Sequence, residues 1–164
     1  MYLYNIRAAL EQLEHIPDSG GSVLILLTSE ELKQGAGVSG LEHILCHTPS
    51  AQDARVCKAE SRHNCLCGTI VTPRHTKEHT PIAFGYLLTE GRVVLCDDTG
   101  TARSAIQHLR KETAQRELGI GGFFYGFLEL LIAKDLHHLQ GLEDRMNQME
   151  EQVLSGELEQ FNPQ

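Results

Sequence analysis

From Gly122 to Phe161 the chain carries a row of apolar residues that only a long helix can collect on one side. Leu128, Ile132, Asp135, Leu139, Leu142, Met146, Met149 and Val153 follow one another at alternating steps of four and three. All but Asp135 are apolar, which is the a/d spacing of a helix that packs along its length. The flanks differ: Glu143, Asp144, Glu150, Glu151, Glu157 and Glu159 crowd the outer face, with Lys134 and Arg145 in opposition. An amphipathic helix that merely covers its own core is the competing reading, and length speaks against it. At about 1.5 Å per residue the segment reaches roughly 55–60 Å, beyond the diameter of a domain built from the residues before it. Part of it is expected to leave that domain, and its end, lacking a terminal glycine cap, reads as cut from something longer.

What precedes the helix must supply a core. A chain of 164 residues, 41% hydrophobic and 22% charged, has apolar material for one globular core, not two. We expect one α/β domain over residues 1–118, followed by the helix over 119–164. A net charge of −8 repels phosphate backbones, and no cluster of Lys and Arg stands out against it, so nucleic acid is not an expected partner. The five cysteines fall at no framework spacing and Met1-Tyr2-Leu3-Tyr4 does not resemble a signal peptide, so the thiols are expected reduced. The longest apolar run, Gly119 to Ala133, contains Glu129 and is shorter than the about 20 residues needed to cross a bilayer.

In chain order, Tyr2 to Ile6 reads as a strand, and Ala8 to Ile16 as a helix with Leu10, Leu13 and Ile16 on one face. Ser22 to Leu27 is a strand buried on both faces, followed by a helix start with Thr28 or Ser29 as N-cap. Gly35 to Gly40 links to a short helix, Leu41 to Cys46, and His47 to Lys58 has no period and reads as a loop. Cys65–Val71, Ala83–Leu88 and Val93–Cys96 read as strands, the last two joined by a tight turn at Thr89–Arg92 in which Gly91 is free to take positive φ. Asp97 to Thr101 caps a helix, Ala102 to Glu117, with Ala105, Ile106 and Leu109 facing inward. The order predicts an α/β fold: a mixed β-sheet layered between helices, with a long C-terminal helix.

Several residue sets could carry chemistry. His43, Cys46, His47, Cys57, His63, Cys65 and Cys67 fall close together, and in a strand His63, Cys65 and Cys67 project from the same face, which is a zinc hypothesis. Against it stand the missing C-x2-C knuckle and the fact that a small buried cysteine needs no special explanation. His75 and His79 lie between Pro73 and Pro81, where a helix would be broken, so the pair decorates a loop. His137 and His138 follow Asp135 on the long helix; consecutive residues point about 100° apart, so only one of them can face any given site. A Cys-His hydrolase can be drawn, but there is no G-x-S-x-G or nucleophile signature, and no phosphate loop, so no enzyme is expected.

The run GFFYGFLELLIAKDL at Gly122–Leu136, with LQGLEDRM at Leu139–Met146 and MEEQVL at Met149–Leu154, resembles the start of the stalk helix of CorA-type divalent-cation (magnesium) transporters. VLILLT at Val23–Thr28, GLEHIL at Gly40–Leu45, His63-Asn64-Cys65 at a strand start and the hairpin around Thr89-Glu90-Gly91 fit in the same order. The resemblance implies a cytoplasmic domain on the inner side of the cell membrane, joined through its stalk to two transmembrane helices in a homopentamer. Those helices and the family's Gly-Met-Asn pore signature are not in these residues, so the chain is expected to be a soluble sensing and assembly part that does not conduct ions alone. Its implied ligand is a divalent cation, Mg²⁺ or, as in a zinc-transporting relative, Zn²⁺; a scaffold without ion sensing is the other reading.

The resemblance also places residues. Where the family's regulatory magnesium site uses a Leu-Glu-Asp-Ile-Leu segment, this chain has Leu41-Glu42-His43-Ile44-Leu45, so His43 stands at the acid's position. An imidazole favours zinc, nickel or cobalt over Mg²⁺. The bland alternative is that His43 ends a short helix near its carbonyls. His43, Asp135, His63, Cys65 and Cys67 are thus the candidate metal residues, and the isolated chain is expected to be monomeric or weakly associated.

Overall fold

Every residue of Val23–Leu27 is buried, which forces layers onto both sides of the strand it forms. In the computed structural model, which describes residues 1–7, 9–17, 21–35, 42–62, 64–72, 82–112 and 118–155, that strand lies inside a seven-stranded sheet. The strands are β1 (Tyr2–Asn5), β2 (Glu11–Leu13), β3 (Val23–Leu27), β4 (Lys58–Arg62), β5 (Cys65–Val71), β6 (Ala83–Leu88) and β7 (Arg92–Asp97). Their spatial order is β2-β1-β3-β7-β6-β5-β4. All neighbours run antiparallel except β3 and β7, which are parallel with Val23 opposite Arg92.

The helices are α1 (Ser29–Lys33), α2 (Glu42–Leu45), α3 (Thr101–Glu112) and α4 (Ile120–Leu154), with a 3-10 turn at Ala51–Asp53. Alternation along the strands sorts the core into two halves. Leu24 and Leu26 join Tyr4, Phe84, Tyr86 and Leu95 under Ile106 and Leu109 of α3 and Phe123 and Phe127 of α4. Val23, Ile25 and Leu27 join Leu3, Leu87, Val94 and Cys67 under Ile44 and Leu45 of α2 and Ala51 of the 3-10 turn. The predicted mixed sheet between helical layers is the observed one.

Local chemistry explains the element ends. Thr28 is the N-cap of α1 in a full capping box with Glu31. Ser29 donates from both its backbone N–H and its Oγ to the Asp98 carboxylate, each at 2.7 Å, tying the ends of the parallel pair together. Buried Asp97 accepts from Thr99 N–H at 2.7 Å and Ala102 N–H at 2.8 Å, which starts α3.

Helix α4 has 35 residues and so runs about 50 Å. Its first turns are anchored: the Phe127 ring meets Phe84 edge-on with centroids 5.6 Å apart, and Phe124 lies 5.1 Å from the Tyr86 ring. Farther along, Leu139, Met146, Met149 and Val153 are more than half exposed. The helix extends past residue 150 as expected, and the outer part of its apolar row is not covered by the described residues of this chain.

Three expectations are corrected. Ala8 to Ile16 is not a helix: β2 occupies Glu11–Leu13, with Leu13 opposite Leu3. Ala9 (φ 48°) and Leu10 (φ 57°) turn the chain in the left-handed region, which sends Leu10 into the α3/α4 side of the core and Leu13 toward the α2 side. A three-residue spacing therefore did not mean one face. Second, His47 to Lys58 is not all loop: it contains the 3-10 turn and runs into β4, an edge strand without apolar alternation. Third, Gly91 does not take positive φ; Gly35 and Gly100 do. The Thr89–Arg92 turn closes without it, because Arg92 N–H donates to Thr89 Oγ1 at 3.0 Å. Helix α3 is described from Thr101 to Glu112; its expected continuation to Glu117 lies outside the described residues, as do 36–41, 73–81 with His75 and His79, and the end of the chain past Ser155.

Candidate functional site

At one end of the sheet, where β4 stops and β5 starts, an open cleft of about 900 Å³ faces α2. One wall is α2 and the turn after it, which present His43, Ile44 and His47. His47 is four residues from His43 and three from Ile44, so it shares a side of the turn with each, and the turn continues because Cys46 N–H donates to Glu42 O at 3.0 Å. The facing wall carries Ser61 and Arg62 of β4, with Asn64, Cys65 and Leu66. The strand-end floor is Leu87, Leu88 and the Thr89–Gly91 turn, including Glu90.

Arg62 is the hub. In the β4–β5 register it stands opposite Cys65, while Glu60 stands opposite Cys67. Its guanidinium donates to Glu60 Oε2 at 3.0 Å and to His47 Nδ1 at 3.1 Å. Glu60 also pairs with Lys58. Hydrogen bonds from Lys58, then Arg62, hold its carboxyl below the ordinary carboxylate range, and the Glu60 bond raises Arg62 above the usual guanidinium value. A guanidinium has no acceptor, so Nδ1 of His47 must accept and the ring proton sits on Nε2.

The structure brings His43 and Cys65 together in this cleft. Cys67 is 1% exposed, and burial pushes its thiol up, leaving it protonated and walled off. Asp135 is half-buried on α4, which covers the opposite face of the sheet from α2. His63 lies outside the described residues. Cys57 bonds to Val71 at the far end of β5, away from Cys65. Sequence reasoning missed Arg62; the signal was the alternating charge of Lys58, Glu60 and Arg62, which places them on one face if the segment is a strand.

A divalent ion is a poor match to these residues. Mg²⁺ takes oxygen ligands, and the cleft offers one carboxylate, Glu90, beside imidazoles, a thiol and a guanidinium. The imidazoles and thiol are donors that suit Zn²⁺, but among the described residues no three His, Cys, Asp or Glu side chains are grouped to hold a metal ion. The cationic Arg62 opposes any cation placed between them.

No protein-family model matches the chain, and no curated protein matches it in sequence. Solved structures do match. The full-length CmaX protein aligns with a TM-score of 0.63 at 12% identity, over 94% of this chain and 51% of that one. The CorA magnesium transporter of Methanocaldococcus jannaschii aligns with a TM-score of 0.58 at 17% identity, again over 94% of this chain and 51% of that one. The ZntB cytoplasmic domain of Vibrio parahaemolyticus aligns with a TM-score of 0.61 at 12% identity, over 90% of this chain and 64% of that one. The chain spans about half the length of the full-length structures it matches. A layered mixed sheet followed by a long helix, in the same order and over nearly the whole chain, is the fold this protein shares with the CorA, CmaX and ZntB structures.

Proposed function

We propose that this chain is the cytoplasmic regulatory and assembly domain of a CorA-like divalent-cation transporter. Residues 1–118 form the sensing domain and 119–164 begin the stalk. The observation that carries the reading is α4: the fold shared with CorA leads into a helix that leaves the sheet with an apolar row uncovered from Ile132 to Val153. In a transporter that row is covered by stalk segments of the same and neighbouring copies, in a homopentamer. No helix of the described residues is long and apolar enough to cross a membrane, so conduction belongs to helices that follow in the full-length protein, at the inner side of the cell membrane. Magnesium is the ion of the reading, with His43 weakening any oxygen cage at its position.

The coding sequence past Gln164 tests this. It is expected to encode two apolar stretches of about 20 residues each. A reading frame that stops, or continues without them, sinks the transporter reading and leaves a soluble scaffold.

A further inference from the structure

The cleft between α2 and the β4–β5 edge has the size of a ligand site and a lining poor in the carboxylates a metal would need. Its volume, about 900 Å³, lies in the roughly 300–1,000 Å³ range of small-molecule pockets. Its polar lining is the Arg62 guanidinium, two imidazoles, the Asn64 amide, the Ser61 and Thr89 hydroxyls and the Cys65 thiol, with Glu90 as the lining carboxylate and Glu60 bonded to Arg62 from outside it, over an apolar floor from Leu87 and Leu88. We infer that it binds a small organic oxyanion, a carboxylate or phosphate on a partly apolar body, with Arg62 as the anchoring cation. This inference is independent of the transporter reading.

The geometry of Arg62 supports this in three ways. The side chain is fixed from two sides, by Glu60 Oε2 and His47 Nδ1, so less rotamer freedom is lost when a ligand arrives. Of its five N–H donors those two contacts engage only part, and the rest of the planar fork matches a carboxylate or phosphate edge. The bond to His47 also fixes that ring with its proton on Nε2, a second donor on the same side of the cleft. Long-range attraction contributes nothing, because the chain carries a net charge of −8 and repels anions at a distance. Saturable anion binding must therefore arise in a site. The alternative is that Arg62, whose side chain is 48% exposed, is only a solvated charge on an edge strand.

The test is isothermal titration of the whole chain with adenosine monophosphate, citrate and inorganic phosphate at one ionic strength, with chloride as the blank. Saturable one-to-one binding of adenosine monophosphate or citrate, tighter than that of inorganic phosphate, is expected; which of the two binds identifies the oxyanion as phosphate or carboxylate. Arg62→Gln is expected to weaken binding about tenfold or more, the effect of losing one charge-assisted hydrogen bond. Arg110→Gln, an exposed charge on α3, is expected to change nothing. Both variants are compared by thermal melting without ligand, so that a folding defect is separated from a binding defect. Absence of saturable binding by all three probes, or equal binding by wild type and a folded Arg62→Gln, overturns the inference.

Discussion

Gly85 of β6 lies against the backbone carbonyl of Pro49, so close that a β-carbon at position 85 would stand 1.7 Å from that oxygen. The segment carrying Pro49 runs from α2 to the 3-10 turn, and Ala51 N–H donates to Cys96 Sγ on β7 at 3.4 Å. The cover over this face is therefore seated backbone against sheet. Gly85→Ala must lift it, at a cost of about 1–3 kcal/mol and a Tm loss of roughly 2–12 °C. Gly121→Ala, in the first turn of α4 with nothing within 4 Å of the added carbon, should instead raise stability by about 0.5–1 kcal/mol. Calorimetry of the two variants checks the pair; an unchanged Gly85→Ala would mean the cover is not seated there.

The two halves of α4 should respond differently to truncation. Phe127 is fully buried, and Phe127→Ala is expected to cost about 3–5 kcal/mol. Met146 is 66% exposed, and Met146→Ala is expected to stay within about 0.5 kcal/mol in the isolated chain. Urea unfolding measures both. A large loss at Met146 would show that the apolar row already has a partner when the chain is alone.

His43 is exposed on α2 at the mouth of the cleft. Millimolar Mg²⁺ is expected to leave the melting curve of the wild type unchanged, since an imidazole is a poor ligand for that ion. His43→Asp supplies an oxygen donor. At about ten times its Kd, bound Mg²⁺ would add about 1.4 kcal/mol, a shift of roughly 3–5 °C. Flat curves for both proteins in both Mg²⁺ and Zn²⁺ would remove position 43 from any ion site.

Glu31 gives a pH dependence with a definite sign. Burial pushes its carboxyl up, but the N-terminal ammonium and the Thr28 N–H and hydroxyl outweigh this, and the net result lies below the ordinary value of 4.5. A carboxyl depressed on folding stabilises above its unfolded pKa, and that stability is lost as pH falls through the folded value. Glu31→Gln should therefore melt slightly below wild type at neutral pH, by no more than about 1 kcal/mol for so exposed a pair. The two curves should converge below about pH 4. A gap that persists in acid would assign the difference to packing instead.

How far the sequence could be read depended on burial. Val23–Leu27, Ala83–Leu88 and Arg92–Asp97 are central strands, so their apolar runs marked them, and α4 was marked by its row of leucines and methionines. The edges escaped: β2 is three residues entered through a left-handed turn at Ala9 and Leu10, and β4 is mostly exposed Lys-Ala-Glu-Ser-Arg. The cleft was half visible for the same reason. His43, His47 and Cys65 stood out as potential ligands, whereas Arg62 became part of the site only when β4 paired with β5 and put it opposite Cys65.

The parallel pairing of β3 with β7 has a consequence for how the chain is made. Strand β3 has β1 on one side from the start, but its other edge waits for β7, so Val23 meets Arg92 only after β4, β5 and β6 have been synthesised. Until then Val-Leu-Ile-Leu-Leu presents an unpaired apolar edge, the kind of segment that recruits other strands. Closing that long loop is also slow compared with the hairpins that form β4 to β7. On the ribosome the β5–β6–β7 meander can assemble as it emerges, and the N-terminal strands then dock onto the finished edge of β7. The strand that is buried along its whole length is thus the one that is translated early and completed late.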